Sequence, residues 1–331
     1  MNENEKQKGF LDSITDVPGI KVGHSQNIKA GTGCTVVICE KGATTGVDVR
    51  GGAPGTRETD LLDPVNLIEK AHAVYLGGGS AFGLDGATGV MKFLEEREIG
   101  FDVVLTKVPI VPGAVLFDLA VGDYRIRPDL KMGYDACLQA TDNEMRQGNI
   151  GAGTGATVGK IFGGIRCMKG GLGTASLKAQ ELIVGAVVAV NCLGDVVDPL
   201  NKQILAGVLT EDKKGFADTM SFLKNFPMGD RNTFSTNTTI GMIATNARLT
   251  KAGAKKVASM TQDGFARTIY PSHTMFDGDT IFCMATGEVE AGVNVVGTIA
   301  ADVMARAVVK AIKSADSLFK IKSYKDLLKD V

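Results

Sequence analysis

Six short apolar runs constrain this fold most, because each predicts a strand and a strand without a polar face needs a covering layer on both sides. They span residues 34–39, 73–76, 102–105, 183–190, 240–245 and 280–285. Several are hydrophobic throughout, which is typical of strands in a sheet that is covered on both faces. We therefore expect layers of helix packed over sheet.

Four helices are predicted between and after these runs. One begins at Asp63-Pro64, an N-cap followed by proline at the first helical position, and buries Leu67, Ile68 and Ala71. The other three follow from apolar stripes at helical spacing: Ala87, Val90, Met91 and Leu94; Ala254, Val257, Ala258, Thr261 and Phe265; and Ala301, Met304, Ala305, Val308 and Ile312. Residues 211–237 lack such periodicity, and we expect a mobile linker there.

Charge and targeting signals exclude several classes of protein. The formal net charge of −1 leaves no basic stripe, so we expect no nucleic-acid partner. Residues 1–8 lack the apolar core of a signal peptide. The longest apolar run, 182–190, is about half the roughly 20 residues that cross a bilayer. These observations predict a cytoplasmic protein without a membrane partner.

The six cysteines show no CxxC pair and no Cys/His spacing of a metal site. We expect reduced, mostly buried thiols, with neither a metal nor a cofactor.

Glycine clusters resemble nucleotide sites only in part. Residues 73–83, AVYLGGGSAFG, have the strand, turn and helix order of a dinucleotide fingerprint, but the next strand does not end in the required acid. Phe82 stands where a nucleophile elbow around Ser80 needs glycine. Residues 155–161, GATVGKI, lack the first glycine and the hydroxyl residue of a P-loop. Lys160, at the end of this glycine-rich turn, is either solvated or directed into a site.

The junction at Asn237-Thr238 is the strongest catalytic candidate. Thr238 closes the irregular stretch and precedes an apolar run, where self-cleavage would leave it as a new N-terminus. An N-terminal threonine carries its own base, because its α-amine titrates at roughly 8 and lies within reach of its hydroxyl. His24, His72 and His273 have no obvious serine partner. In the alternative interpretation, Thr238 is only a strand residue.

Six motifs occur in the order seen in one family: 48–55 (DVRGGAPG), 76–84 (LGGGSAFGL), 151–156 (GAGTGA), 237–240 (NTTI), 244–246 (ATN) and 277–280 (DGDT). Together they resemble the self-processing P1 hydrolases, peptidase family S58. That family includes L-aminopeptidase/D-esterases, β-peptidyl aminopeptidases and nylon-oligomer hydrolases. The resemblance implies a single four-layer αββα domain over 1–331, related to N-terminal-nucleophile hydrolases in architecture but not in connectivity. It also implies cleavage into an α chain, 1–237, and a β chain, 238–331.

The resemblance assigns a role to each matching position. Thr238 becomes the nucleophile, Asn191 helps to hold the oxyanion and Lys160 lies beside the nucleophile. Asp277 and Asp279 match two acidic positions of the nylon-hydrolase branch. Their alternation at a strand start independently predicts that both carboxylates point the same way, where they would hold an ammonium and a lysine.

Two positions depart from the family pattern. Phe117 stands where an active-site tyrosine is common, and Val115 corresponds to the glutamate that aminopeptidases use to grip the substrate amine. The sequence therefore leaves both exo- and endo-cleavage open.

These inferences predict an amidase or peptidase that acts on small peptides or amides by acyl transfer through Thr238. The resemblance also implies a homo-oligomer of αβ units, with a tetramer favoured. Two alternatives remain open from the sequence. One is an acyltransferase like the ornithine acetyltransferases, which share a self-cleaving threonine, and the other is a non-enzymatic oligomeric binding protein.

Overall fold

The computed structural model describes residues 9–225 and 237–327. Its strands are β1 (Lys21–Asn27), β2 (Thr32–Val49), β3 (Gly55–Arg57), β4 (Lys70–Gly77), β5 (Phe101–Asp102), β6 (Lys107–Val108), β7 (Gly113–Val115), β8 (Thr157–Val158), β9 (Met168–Lys169), β10 (Gly171–Ala179), β11 (Leu182–Val190), β12 (Asp195–Val197), β13 (Ile204–Ala206), β14 (Ile240–Ala247), β15 (Ile269–Tyr270) and β16 (Thr280–Val289). Its α-helices are α1 (Gly86–Glu95), α2 (Leu130–Leu138), α3 (Thr219–Asn225), α4 (Lys251–Thr268), α5 (Val293–Ser314) and α6 (Tyr324–Leu327).

The main sheet has two halves that are joined by the long strand β2. Its strand order is β10-β11-β14-β16-β2-β4-β7-β3, with β1 paired to β2. The first part of β2, residues 34–38, pairs with β4, and the last part, residues 44–49, pairs with β16. The register with β4 shifts between Ile38 and Ala43, and such an irregularity lets a strand bend. One continuous strand therefore belongs to both halves.

Alternate side chains of β2 enter two different layers of core, so that residues 32–39 are all buried. Val37 and Cys39 pack with residues of β11, β14 and β16 in a cluster between the sheet halves. Val36 and Ile38 point the other way and pack against α1 and α2. A third cluster lies between β11, β14 and β16 on one side and α4 and α5 on the other. The layers are thus helix, sheet, sheet and helix, as expected of an αββα sandwich.

Local polar bonds explain why two predicted elements are wrong. The helix expected after Asp63-Pro64 is a turn in which the Asp63 carboxylate accepts the N–H of Val65 at 3.2 Å. Leu67 is 81% exposed, whereas Ala71 is buried in β4. The strand expected at 102–105 ends at Asp102, whose carboxylate accepts the N–H of Val104 at 2.8 Å. In both places the aspartate stabilises a turn instead of a regular element.

Other differences concern elements without a clear sequence signal. The linker expected at 211–237 contains α3, and its residues 226–236 lie outside the described part of the chain. The sequence patterns also miss α2 and β10. β10 is rich in glycine, and its Gly173 has no room for a side chain, since a Cβ there would lie 2.1 Å from the Ala307 carbonyl of α5. The other three predicted helices correspond to α1, α4 and α5.

Among the described residues, the structure contains no helix that is long and apolar enough to span a membrane.

Candidate active site

Three neighbouring strands bring the predicted site residues to one edge of the sheet. β11 and β14 are antiparallel, with Ala189 opposite Ile240, and β14 and β16 are parallel, with Ile240 opposite Thr280. The residues that follow β11 therefore lie beside those that precede β14 and β16. Lys160 reaches the same place from the loop after β8. All of these site residues are buried: Lys160, Asn191, Asn237, Thr238, Asp277 and Asp279.

Thr238 lies against the carbonyl group of the preceding residue. Its hydroxyl Oγ1 donates a hydrogen bond to the carbonyl oxygen of Asn237. The same oxygen accepts the backbone N–H of Gly278 at 3.1 Å. The N–H of Thr238 donates to the carbonyl oxygen of Asn191 at 2.9 Å. The Asn237–Thr238 peptide is thus held at both ends, with a hydroxyl beside its carbonyl and an N–H donor on its oxygen.

Lys160 is buried and directed into the site, which decides between the two interpretations of this residue. Its Nζ donates to the carbonyl oxygen of Asn191 at 3.0 Å and to the side-chain Oδ1 of Asn191 at 2.9 Å. The Asn191 carbonyl oxygen therefore accepts from both the ammonium and the N–H of Thr238. Burial lowers the pKa of Lys160 to about 8, while nearby Cys192, Cys167 and Asp277 act in the opposite direction.

The side-chain amide of Asn191 joins separate backbone segments. Its Nδ2 donates to the carbonyl oxygen of Phe117 at 3.0 Å, and its Oδ1 accepts the N–H of Thr157 at 2.9 Å. Asn191 thereby ties the loop after β7 and strand β8 to the end of β11. The carbonyl oxygen of Asn237 accepts hydrogen bonds from the hydroxyl of Thr238 and from the backbone N–H of Gly278.

Asp277 and Asp279 bind on either side of the Thr238 backbone. Asp279 Oδ1 accepts the N–H of Thr239 at 2.8 Å, next to the candidate nucleophile. Asp277 forms an isolated parallel bridge with Asn237, and its Oδ1 lies 3.4 Å from the N–H of Leu193. Burial, followed by the charge of Asp279, raises the pKa of Asp277 to about 6.

Two glycines allow the backbone to approach this closely. A Cβ on Gly278 would lie 2.7 Å from Thr238 Oγ1 and 2.7 Å from the carbonyl oxygen of Ala53. A Cβ on Gly51 would lie 2.3 Å from the carbonyl oxygen of Asp277. Any side chain at either position would force the segment 50–54 away from the acidic turn. The glycine cluster at 51–55 is thus part of the wall of this site.

The sequence patterns miss the two residues that hold these carboxylates. The N–H and the Nδ1 of His273 each lie 3.0 Å from Asp279 Oδ2. The N–H and the hydroxyl of Thr274 donate to Asp277 Oδ2 at 3.0 and 2.6 Å. The only signal for these contacts is proximity, since His273 and Thr274 precede the Asp-Gly-Asp motif in the segment HTMFDGD.

The two departures from the family pattern lie in different surroundings. Phe117 is half-buried and contributes its backbone carbonyl to the site through Asn191. Val115 is buried in the cluster beneath α1 and α2 and in contact range of Gly55. Neither position supplies a polar side-chain group.

In residues 9–225 and 237–327, no group of three or more His, Cys, Asp or Glu is arranged to hold a metal ion. All six cysteines are free and buried.

The chain is similar in sequence to a known peptidase family and to several of its relatives. The sequence profile of peptidase family S58 matches residues 12–325. The chain is 43% identical to an uncharacterized aminopeptidase of Mycobacterium leprae, a match that covers 95% of this chain and 93% of the relative. It is 30% identical to a 6-aminohexanoate-oligomer endohydrolase of Kocuria sp., covering 90% of this chain and 85% of that relative.

The fold is also similar to that of solved structures. One is the L-aminopeptidase D-Ala-esterase/amidase of Ochrobactrum anthropi, with a TM-score of 0.73, 17% sequence identity and coverage of 97% of this chain and 94% of that chain. A second is a beta-aminopeptidase of Burkholderia sp., with a TM-score of 0.68, 20% identity and coverage of 97% and 94%.

Proposed function

The chain belongs to peptidase family S58 and is a hydrolase of peptide or amide bonds, and we propose that Thr238 is the nucleophile both in self-cleavage and in turnover. One observation carries the proposal: the Thr238 hydroxyl contacts the carbonyl of its own preceding peptide, whose oxygen also accepts the Gly278 N–H. The family assignment argues against a non-enzymatic binding protein, and its hydrolase members argue against the acyltransferase.

Self-cleavage begins with attack of Thr238 Oγ1 on the carbonyl carbon of Asn237. The hydroxyl proton is transferred to the departing nitrogen as the C–N bond breaks, and this nitrogen becomes the free amine of Thr238. The resulting ester is hydrolysed by water, so that the α chain ends at Asn237 and the β chain begins at Thr238. The Gly278 N–H stabilises the negative charge that develops on the Asn237 oxygen.

In turnover, the α-amine of Thr238 is the base. The Thr238 nitrogen and the Lys160 ammonium bind the same carbonyl oxygen of Asn191, at 2.9 and 3.0 Å. A positive charge at this distance disfavours a second one, so it keeps the amine neutral and able to accept the hydroxyl proton. The hydroxyl then attacks the substrate carbonyl, and water releases the acyl group.

Asn191 and the two aspartates complete the proposed machinery. Asn191 supports the substrate oxyanion once its amide exchanges the bond to the Phe117 carbonyl for one to substrate. Asp277 and Asp279 hold the backbone on either side of Thr238, and the charge of Asp277 acts on the Lys160 ammonium.

The substrate class follows from the relatives and from this chain's own departures. Similarity to an aminopeptidase and to a 6-aminohexanoate-oligomer endohydrolase suggests small peptides or linear amides. Val115 and Phe117 provide no group that would bind only a free amino terminus. Hydrolysis of an amino-acid p-nitroanilide and of a 6-aminohexanoate oligomer, assayed in parallel, tests this substrate range. Acetyl transfer to glutamate without hydrolysis would instead indicate the acyltransferase.

Intact mass under denaturing conditions tests the mechanism most directly. The expected result is two chains, of which the smaller begins Thr-Thr-Ile-Gly. A fully active preparation that remains one chain would contradict the proposed N-terminal nucleophile.

We also propose a cytoplasmic homo-oligomer of αβ units, with a tetramer favoured. The tip of the β5–β6 hairpin supports assembly, because Val104 is 96% and Leu105 is 95% exposed. Adjacent apolar side chains of this size are commonly covered by a partner. Light scattering at micromolar concentration should give a multiple of one αβ unit, and Leu105→Asp should reduce that mass. A monomeric wild-type protein would refute assembly.

A further inference from the structure

His273 is held in an unusual backbone conformation beside the acidic pair. Its φ of 58° lies in the left-handed region, where residues with a side chain are uncommon. Such conformations persist when surrounding contacts enforce them, and they cluster at functional sites. Here the enforcing contact is identifiable, because the N–H of His273 donates to Asp279 Oδ2 at 3.0 Å.

The imidazole binds the same carboxylate oxygen as the backbone does. Nδ1 lies 3.0 Å from Asp279 Oδ2. Because an ionised carboxylate only accepts, this contact requires the proton on Nδ1. The other ring nitrogen, Nε2, is buried and has no hydrogen-bond partner among the described residues. The bond to Asp279 is therefore the polar contact that orients the ring.

Asp279 connects the imidazole to the backbone next to the proposed nucleophile. Its second oxygen, Oδ1, accepts the N–H of Thr239 at 2.8 Å. The next residue in the turn, Thr274, binds Asp277 in the same manner, through its N–H and its hydroxyl. Consecutive residues thus fix the two carboxylates, one each.

We propose that His273 is a positioning residue, which fixes Asp279 against the Thr239 N–H and so sets the place of the Thr238 hydroxyl. This inference rests on Thr238 being the nucleophile. It predicts a loss in the chemical steps rather than in substrate binding, since the ring binds Asp279, which in turn binds the backbone beside the nucleophile. Misplacement of a reacting group by about 1 Å costs up to roughly 100-fold in rate.

Three substitutions in the full-length chain separate the ring's hydrogen bond from the backbone strain. His273→Gly accepts the left-handed φ but removes the ring, and His273→Ala removes the ring and keeps the strain. His273→Asn places an amide N–H near the position of Nδ1 and tolerates the same φ. His72→Asn is the matched control, because His72 is also a buried histidine but lies at the start of β4, away from the site.

The measurements are the rate of conversion to two chains, and kcat and KM of the matured enzyme on an amino-acid p-nitroanilide. We expect His273→Gly and His273→Ala to lower kcat and the conversion rate by about 30-fold to 100-fold, with KM within about threefold of wild type. His273→Asn should restore both rates to within about fivefold of wild type. His72→Asn should leave both unchanged.

Thr238→Ala, measured alongside, distinguishes the two ways of failing. Wild-type rates in His273→Gly, with Thr238→Ala inactive, would overturn the positioning role alone. An active Thr238→Ala would overturn the proposed function itself. A loss confined to His273→Ala would indicate strain and not the hydrogen bond. A loss that follows the unfolded fraction in thermal melts of the variants would indicate a purely structural residue, and either result would overturn the inference.

Discussion

Lys160 and Lys169 are two buried lysines whose ammonium groups bind different kinds of partner. Lys169 donates to the carbonyl oxygens of Gly153, Ala156 and Gly170, at distances of 3.1, 2.9 and 3.1 Å. These bonds hold the glycine-rich turn before β8 against the start of β10. Its donors are therefore used to stabilise backbone.

Lys160 is also buried, but its ammonium binds a side-chain oxygen as well as a backbone carbonyl oxygen. Its ammonium binds Asn191, and the carbonyl oxygen that it uses also accepts the N–H of Thr238. Burial lowers the pKa of both lysines, to about 8 for Lys160 and about 7 for Lys169. A perturbed pKa by itself thus fails to distinguish a structural lysine from one in the proposed active site. The identity of the bound atoms does so.

The largest effect is expected at Thr238, because it is the proposed nucleophile and its N–H shares the Asn191 carbonyl oxygen with Lys160. Thr238→Ala should remain a single chain without measurable hydrolysis, since it has no hydroxyl to attack either carbonyl. Thr238→Ser should retain part of both activities. Denaturing electrophoresis and a p-nitroanilide assay measure the two steps. Cleavage of the alanine variant at the same bond would remove the distinction between the two lysines.

Replacing each lysine by methionine tests the comparison directly. Lys160→Met should slow self-cleavage and hydrolysis by roughly 100-fold or more, the scale of general acid–base contributions. Lys169→Met should mature and turn over at nearly the wild-type rate per folded molecule. The fraction of cleaved chain and kcat, measured well below the melting temperature, give both answers. Equal losses in the two variants would show that the bound atoms do not determine the role.

Lys169→Met should affect stability instead. Three buried carbonyl groups would lose the ammonium as a donor, although those of Gly153 and Ala156 keep a backbone N–H, from Ala156 and Gly170. Each hydrogen bond to a charged group contributes about 1.5–3 kcal/mol, offset in part because the variant buries no charge. We expect the free energy of unfolding to fall by about 2 kcal/mol or more. Urea denaturation of the Thr238→Ala background, which stays a single chain, measures this without interference from cleavage. An unchanged midpoint would contradict the structural role.

The acidic limb of the pH–rate profile can show which of two carboxyl groups, Asp118 near Lys169 or Asp277 near Lys160, must be ionised for activity. Burial raises the pKa of Asp118, which lies near Lys169, to about 6, and burial with the charge of Asp279 raises the pKa of Asp277 to about 6. Either carboxyl group takes up a proton as pH falls through 6, so the wild-type rate should fall below that pH. Only the pKa of Asp277 depends on a neighbouring aspartate.

Asp279→Asn removes that neighbouring charge and should lower the pKa of Asp277. The residual activity of this variant, expected to be about 100-fold below wild type, should therefore persist to lower pH. Profiles of kcat/KM for the two proteins measure the shift. An acidic limb that stays in place would assign the titration to a group such as Asp118.

The sequence predicts those parts of the fold whose signal is local. The apolar stripes of α4 and α5 identify both helices, because the residues that pack together are three or four positions apart. The bend in β2 has no such signal, since it depends on pairing with β4 and with β16 at different ends. Asp63-Pro64 has the local signal of a helix start, yet its carboxylate stabilises a turn before a buried strand.

Some residues of the candidate site can likewise be predicted from local motifs, whereas others cannot. The motif order points to Thr238 and the acidic pair, but the environment of Lys160 remains open until β11 brings Asn191 beside it. His273 binds Asp279 through a left-handed conformation that no pattern of residue types specifies. Contacts between segments distant in sequence, and backbone conformations enforced by them, are what the sequence alone does not predict.

The smallest effect is expected at Lys255, whose ammonium pairs with a carboxylate instead of with carbonyl oxygens. Its Nζ lies 2.9 Å from the Asp63 carboxylate, but the two side chains are 45% and 40% exposed. Water competes for both charges, so an exposed pair of this kind contributes little to stability.

Lys255→Met should leave self-cleavage and turnover unchanged and shift the melting temperature by less than about 2 °C. Thermal melts at low and high salt measure this, and the double variant with Asp63→Asn is the control for the pair. A melting temperature that falls as far as in Lys169→Met would mean that an ion pair at the surface stabilises this fold as much as buried carbonyl contacts do. Charge, and not the burial or the identity of the bound atoms, would then determine how much a lysine stabilises this fold.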